Sequence, residues 1–123
     1  MIRAWLIAAA FGGFLSVGAG AVAAHLAVDD PRAVELLHTG ALYGMVHAVA
    51  LLAVVAIAER SDRPGPALIT AGWSFVIGAF LFSLSLFMLA LTGIALFGRI
   101  TPFGGVGLLV GWTALVLAAL RGG

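Results

Sequence analysis

Hydrophobic and polar positions along this chain form long blocks. The charged residues fall into a few groups, and four uncharged runs separate them: residues 4–28, 36–58, 64–98 and 100–120. A helix needs about 20 consecutive apolar residues to cross a hydrocarbon core of roughly 30 Å. Each run is long enough for one span, so the pattern predicts four transmembrane helices.

Short polar or helix-breaking segments set the predicted helix ends. Asp30 can cap a helix, and Pro31 suits its first position. The segment from Glu59 to Pro66 is a polar turn closed by prolines, and Pro102 is expected to open the last helix. The predicted fold is all-α, an integral membrane four-helix bundle that forms a single transmembrane domain over residues 1–123. Its helices are expected at about residues 4–25, 31–58, 67–91 and 102–120.

The amino-acid composition indicates a membrane protein and excludes several other classes of protein and of functional site. Hydrophobic residues make up 63% and charged residues 9% of the chain, and the mean hydropathy is +1.22, well outside the range of soluble domains. With no cysteine in the sequence, disulfides, thiolate metal sites and cysteine nucleophiles are excluded. A net charge of +1 offers no basic surface for nucleic acid, so the predicted surroundings are the lipid bilayer.

The sequence lacks the residue sets that most enzymes use. It shows no Ser/His/Asp set, no paired carboxylates and no metalloprotease motif, and none of the four uncharged runs contains Asp or Glu. We therefore predict a protein without enzymatic activity and without a cofactor. A proton-coupled exporter is also disfavoured, because its mechanism needs an intramembrane carboxylate that titrates.

Small residues in the first helix predict close helix packing. Gly12, Ser16, Gly20 and Ala24 repeat every four residues, which would place them along one ridge. Helices in lipid associate through such contacts because no hydrophobic driving force holds them together.

A polar cluster is predicted in the second helix. His47 lies near the middle of an uncharged run, one turn after Tyr43, and an ionisable residue at that depth must face the bundle interior. His47 and Tyr43, with Ser83 and Ser85 of the third helix, could relay a proton or bind a ligand. We favour a structural interhelical hydrogen bond, worth about 0.6–2 kcal/mol in membranes.

The arginine distribution predicts the orientation of the chain. Arg3, Arg60, Arg63 and Arg121 fall on one side of the membrane, and the other side receives two arginines, at positions 32 and 99. The positive-inside rule then places both termini in the cytoplasm of a multi-pass protein of the cell inner membrane.

A second polar cluster is predicted on the outer side. Its members are His25, His38, Asp29, Asp30, Arg99 and Thr101. Imidazole and carboxylate groups suit zinc, but their spacing matches no ligand motif, so we predict solvated groups and no metal. We expect Arg99 to extend toward the headgroups. In the alternative it pairs with Asp29, Asp30 or a lipid phosphate.

Five segments, in order along nearly the whole chain, resemble one known family. They are Gly20-Ala21-Val22-Ala23-Ala24-His25-Leu26, Thr39-Gly40 with Tyr43 and His47, Leu81-Phe82-Ser83-Leu84-Ser85-Leu86, Ile100-Thr101-Pro102-Phe103-Gly104-Gly105, and Gly111-Trp112. The chain resembles the small four-helix membrane proteins called domain of unknown function 423, of the YgdD and transmembrane protein 256 type. Ala23 and Leu84 stand where that family often has glycine. The resemblance implies a four-helix membrane protein and assigns no activity.

Three functions remain open from the sequence. We prefer a non-enzymatic accessory or stabilising component that associates laterally with a larger membrane complex. The expected partners besides lipid are such a complex or, in the alternative, a second copy of the chain. The first alternative is a small oligomeric transporter or channel with a polar path at His47 and Tyr43. The second is a lipid-binding protein that uses Arg32 and Arg99.

Overall fold

The computed structural model of the protein describes residues 1–27 and 29–122. Val28, in the predicted first connection, and Gly123, the last residue of the predicted domain, lie outside the described residues. The helices are α1 (Ile2–His25), α2 (Pro31–Glu59), α3 (Pro66–Thr92) and α4 (Ala95–Leu120). All four are long and apolar enough to cross a membrane, which confirms the predicted all-α membrane fold.

The start of α2 follows the predicted capping chemistry. The Asp30 carboxylate accepts a hydrogen bond from the Ala33 backbone N–H at 3.2 Å, and Pro31 is the first helical residue. One of the free N–H groups of the first turn is thereby satisfied, and the predicted helix start is confirmed.

The predicted start of α4 was wrong. Helix α4 begins at Ala95, about two turns before Pro102, and Pro102 lies inside it. The break between α3 and α4 occurs at Gly93, which ends α3 in the left-handed conformation with φ 69°. A proline removes one intrahelical hydrogen bond, and membrane helices tolerate this where neighbouring groups compensate. The glycine was therefore the stronger signal for the turn.

The helices run up and down, with the two connections α1–α2 and α3–α4 at the same end. One apolar cluster joins the start of α1 to the end of α2, the start of α3 and the end of α4, through Trp5, Ala58, Leu68 and Ala118. A second cluster joins the end of α1 to the start of α2 and the end of α3, through Ala23, Leu37 and Phe87. We call the end with both termini the terminus end and the other the distal end.

The four helices do not form a closed square. Helix α1 contacts α2 and, more sparsely, α3, while α2 contacts α3 and α3 contacts α4. Among the described residues, no close backbone approach joins α4 to α1 or α2. Helices α1, α2 and α3 therefore form a triangle, α4 lies beside α3, and a groove separates α4 from α2.

Glycines bring α3 and α4 into backbone contact. A Cβ added at Gly78 would lie 2.8 Å from the Leu108 backbone nitrogen, and one at Gly107 would lie 3.1 Å from the Gly78 Cα. A Cβ at Gly104 would overlap the backbone of Phe82. The α3–α4 pair therefore depends on small residues, as is general for helices in lipid.

The predicted four-residue ridge of α1 holds over only half its length. Gly12 faces Ala48 of α2, and Ser16 is buried. Gly20, in contrast, has no neighbouring atom within 4 Å of an added Cβ, and Ala24 is exposed. A spacing of four residues drifts by about 40° per step around a helix of 3.6 residues per turn, so the ridge rotates out of the α1–α2 contact.

Candidate functional site

His47 forms a hydrogen-bonded link between α2 and α4. Its side chain is 5% exposed, and its Nδ1 lies 2.7 Å from the Tyr43 backbone oxygen. The Trp112 indole Nε1–H donates to the His47 Nε2 at 3.0 Å. An indole N–H can only donate, so Nε2 carries no proton and Nδ1–H donates to Tyr43. The geometry therefore selects one neutral tautomer of His47.

Aromatic side chains surround the imidazole. The ring centroids of His47 and Phe75 lie 5.6 Å apart, and those of His47 and Trp112 lie 5.8 Å apart, both edge to face. Phe75 and Trp112 also contact each other, with centroids 5.0 Å apart. Such edge-to-face pairs stabilise beyond their buried area, and here they fix the ring orientation.

Tyr43 contributes its backbone oxygen to His47 and turns its ring outward. Its ring is parallel to that of His47, at a centroid distance of 6.2 Å and an interplanar angle of 8°. It also contacts Phe82, with centroids 4.8 Å apart. The side chain is 43% exposed, so Tyr43 belongs to the surface of the groove between α2 and α4.

Neither predicted serine hydrogen bonds to His47, although Ser83 lines a small cavity beside it. Ser83 Oγ donates to the Gly40 oxygen of α2 at 2.8 Å, whereas Ser85 Oγ lies 2.6 Å from Thr101 Oγ1 of α4. Residues two apart on a helix point about 200° away from each other, so the two serines face different neighbours. Each hydroxyl serves as a contact between helices.

A small cavity lies between α1, α2 and α3 beside Gly44. Its volume is about 30 Å³, and its lining includes Ser16, Ser83 and His47. Ser16 Oγ donates to the Gly12 oxygen at 2.8 Å, which leaves its lone pairs free. The space admits about one or two water molecules.

Sequence reasoning missed two residues of this site. Ser16 was assigned to a packing ridge, and Trp112 was noted only as part of a family motif. The sequence shows for Ser16 only its position one turn after Gly12, and its approach to Gly44 of α2 became evident only in the structure. No periodic pattern pairs Trp112 with His47, because the two residues lie 65 positions apart.

Most residues of the predicted outer cluster lie on the surface of the bundle. His25, His38, Asp29, Asp30 and Arg99 are all exposed, and Asp30 is engaged as the helix cap. Thr101 lies inside the longer α4 and contacts Ser85, which corrects its placement in the cluster. Across residues 1–27 and 29–122, no three His, Asp or Glu side chains converge on a possible metal ion.

The groove between α2 and α4 is the larger surface feature near His47. Its volume is about 420 Å³, within the usual range of ligand sites. The lining is mostly apolar and comprises Tyr43, His47, Phe82, Pro102, Gly105, Val106, Leu108, Leu109 and Trp112. The link between His47 and Trp112 crosses one end of it.

Comparison with known proteins decides the family. Residues 19–105 match the family model described as "Protein of unknown function (DUF423)". The chain belongs to the DUF423 family. It is 38% identical to the UPF0382 membrane protein YwdK of Bacillus subtilis over 122 residues, 98% of each chain.

A second relative gives a similar result. The UPF0382 inner membrane protein YgdD of Escherichia coli is 37% identical over 124 residues, 97% of this chain and 91% of the relative. No solved structure matches the chain. The family resemblance of the sequence is thus confirmed, and this DUF423 member is an integral membrane protein.

Proposed function

We propose that this DUF423 protein is a non-enzymatic accessory or stabilising component of the inner membrane that associates laterally with a larger membrane complex. The helices occupy residues 2–25, 31–59, 66–92 and 95–120, so the connections between them are short. A partner would meet this protein mainly within the bilayer.

The interior supports a structural role better than a transport role. Ser16, Ser83 and His47 each hydrogen bond to a group of the bundle, and the cavity beside them has a volume of about 30 Å³. A transporter needs a continuous polar route past His47, and this cavity is much smaller than such a route. The contacts that carry the function are therefore expected on the surface of the bundle.

An open stripe on α1 is the observation that carries the proposal. We define it as Gly13, Val17, Gly20 and Ala24, which share one face by their three- and four-residue spacing. A Cβ added at Gly13 or Gly20 would meet no atom within 4 Å, and Val17 is 64% exposed. Glycine inside a helix is about 0.5–1 kcal/mol less favourable than alanine, so these glycines weaken α1 without any internal contact in return. Close approach of a partner helix would use them.

Site-specific photocrosslinking in the native membrane tests this proposal. A benzophenone amino acid would replace Val17 in the stripe or Val116 of α4, which is 59% exposed and serves as the matched control. We expect one discrete product of higher mass from Val17 and none from Val116. The double variant Gly13→Leu and Gly20→Leu should abolish that product, because the leucines prevent the close approach of a partner helix. The fold should be retained, since an added Cβ at either position meets no internal neighbour.

Two results would contradict the accessory role. The first is the same crosslinked product from Val17 and from Val116, which would indicate random collisions in the membrane and no specific contact surface. The second is a product of twice the mass of the chain, which would assign the stripe to self-association.

A further inference from the structure

We propose that the groove between α2 and α4 binds one phospholipid with an anionic headgroup from the distal leaflet. The acyl chain lies along the groove, and the phosphate lies at Arg99. The inference depends on the shape of the groove, on its depth in the bilayer and on the cation that α4 carries near its distal mouth.

The groove exists because α4 contacts α3 and has no close backbone approach to α2. Phe82 and the buried Leu108 are part of its lining. Pro102 and Gly105 lie on the α4 wall, where small or compact residues leave space. A Cβ added at Gly105 would contact Phe82 at 3.8 Å, an ordinary distance, so glycine here widens the groove without being needed for the α3–α4 contact.

The groove matches one bilayer leaflet in length. Its lining on α4 runs from Pro102 to Trp112, which at a rise of about 1.5 Å per residue is about 15 Å. Half of a hydrocarbon core of roughly 30 Å is also about 15 Å. The uncharged run 36–58 is centred on His47, so the His47–Trp112 link lies near the midplane and the groove extends toward the distal side.

Arg99 supplies a cation at the distal mouth. It precedes Pro102 by three residues and Val106 by seven, so it shares their helix face. Side chains tilt toward the N-terminus of a helix, which for α4 is the distal end. The exposed Arg99 can therefore reach headgroup depth. No other charged residue occurs between Arg63 and Arg121. A lipid phosphate would supply the anion that this hairpin lacks, through charge-assisted hydrogen bonds.

Native mass spectrometry after reconstitution tests the site. The protein would be placed in vesicles of phosphatidylcholine and phosphatidylglycerol at a ratio of three to one, extracted gently, and examined for retained lipid. We expect one phospholipid per chain, with a ratio of phosphatidylglycerol to phosphatidylcholine about fivefold higher than in the vesicle, which corresponds to a partly exposed ion pair of roughly 1 kcal/mol.

Four variants distinguish the contacts with the lipid headgroup from the contacts with the acyl chain. Arg99→Gln should abolish the enrichment, and Gly105→Phe, which fills the groove, should abolish lipid retention. The matched controls are Arg121→Gln, outside the groove, and Gly18→Phe, at a glycine with no neighbour within 4 Å of an added Cβ. Both controls should retain the lipid, and a loss in either would contradict the proposal.

A photoreactive lipid gives a second readout that does not require a groove variant to fold. Phosphatidylglycerol with a diazirine at the end of one acyl chain should label the wild-type protein mainly at Leu109, Trp112 and Tyr43, the midplane part of the groove. Labelling spread over all four helices, or equal labelling by phosphatidylcholine with the same group, would overturn the proposal. The proposal would also be overturned if the Gly105→Phe variant were labelled at the same positions as the wild-type protein.

Discussion

The imidazole of His47 links two helices that otherwise have no close backbone approach. It donates to the Tyr43 backbone oxygen through Nδ1 and accepts from Trp112 through Nε2. Protonation of Nε2 would replace this acceptor with a second donor facing the indole N–H, and the link would be lost. The neutral form is therefore the one that joins α2 to α4.

Replacing Trp112 with phenylalanine should destabilise the bundle by about 0.6–2 kcal/mol, the usual range of a hydrogen bond between membrane helices. Unfolding by a denaturing detergent would measure the change. Trp73→Phe is the matched control, because Trp73 and Trp112 are 40% and 42% exposed and only Trp112 donates to His47. An equal loss in both variants would mean that indole volume, not the hydrogen bond, is responsible.

His47→Gln should preserve folding, because the glutamine amide both donates and accepts hydrogen bonds. His47→Leu should lose about 1 kcal/mol or more, since it leaves the Trp112 N–H without its acceptor. Expression and monodispersity in mild detergent would compare the two. Collapse of the glutamine variant alone would contradict a structural role of the hydrogen bonds.

Helix pairing in this protein depends on which glycines face a neighbour. The sequence places Gly104 and Gly105 side by side in α4, but only the structure shows that Gly104 meets the Phe82 backbone while Gly105 faces the groove. Adjacent residues differ by about 100° around a helix, and composition alone does not fix the helix rotation. Two predictions, the packing ridge at Gly20 and the helix start at Pro102, were wrong for the same reason. Residue spacing and proline act on the local chain, whereas the contacts with neighbouring helices determine where a residue packs and where a helix begins.

Gly104→Ala and Gly105→Ala should therefore differ in their effect on stability. At Gly104 the added methyl would overlap the Phe82 backbone, and overpacking of this kind costs about 1–3 kcal/mol. At Gly105 the nearest atom would lie 3.8 Å away, so the better helix propensity of alanine should leave stability unchanged or raise it by up to about 1 kcal/mol. Thermal unfolding in detergent would show the difference, and equal effects would contradict the described α3–α4 contact.

The membrane class and the number of spans could be predicted because they follow from blocks of 20 or more apolar residues. The lateral arrangement could not. Lipid tails are as apolar as leucine, so the surface of a helix that faces lipid has the same apolar character as the surface that packs against another helix. This is why α4 beside α3, and the resulting groove at Tyr43 and Trp112, became evident only in the structure.

Both termini lie at one end of the bundle, and we expect that end to face the cytoplasm. Arg3, Arg60, Arg63 and Arg121 all belong to it, and cationic residues near short spans are retained inside. A reporter that is active only in the cytoplasm, fused after Arg121, should be active. Its control is the same reporter inserted after Asp29, in the α1–α2 connection, which should be silent. The reverse pattern would contradict the orientation.

Lateral association can be examined without any variant by purifying the chain gently from its native membrane and weighing the intact assembly by mass spectrometry. We predict recovery with one larger membrane partner at fixed stoichiometry, because all four helices are long and apolar enough to cross the membrane and the glycines of the open stripe of α1 have open space beside them. Recovery of the chain only by itself, as a monomer or homo-oligomer, would contradict the accessory role. A flux assay in liposomes with His47→Ala would then be the next experiment.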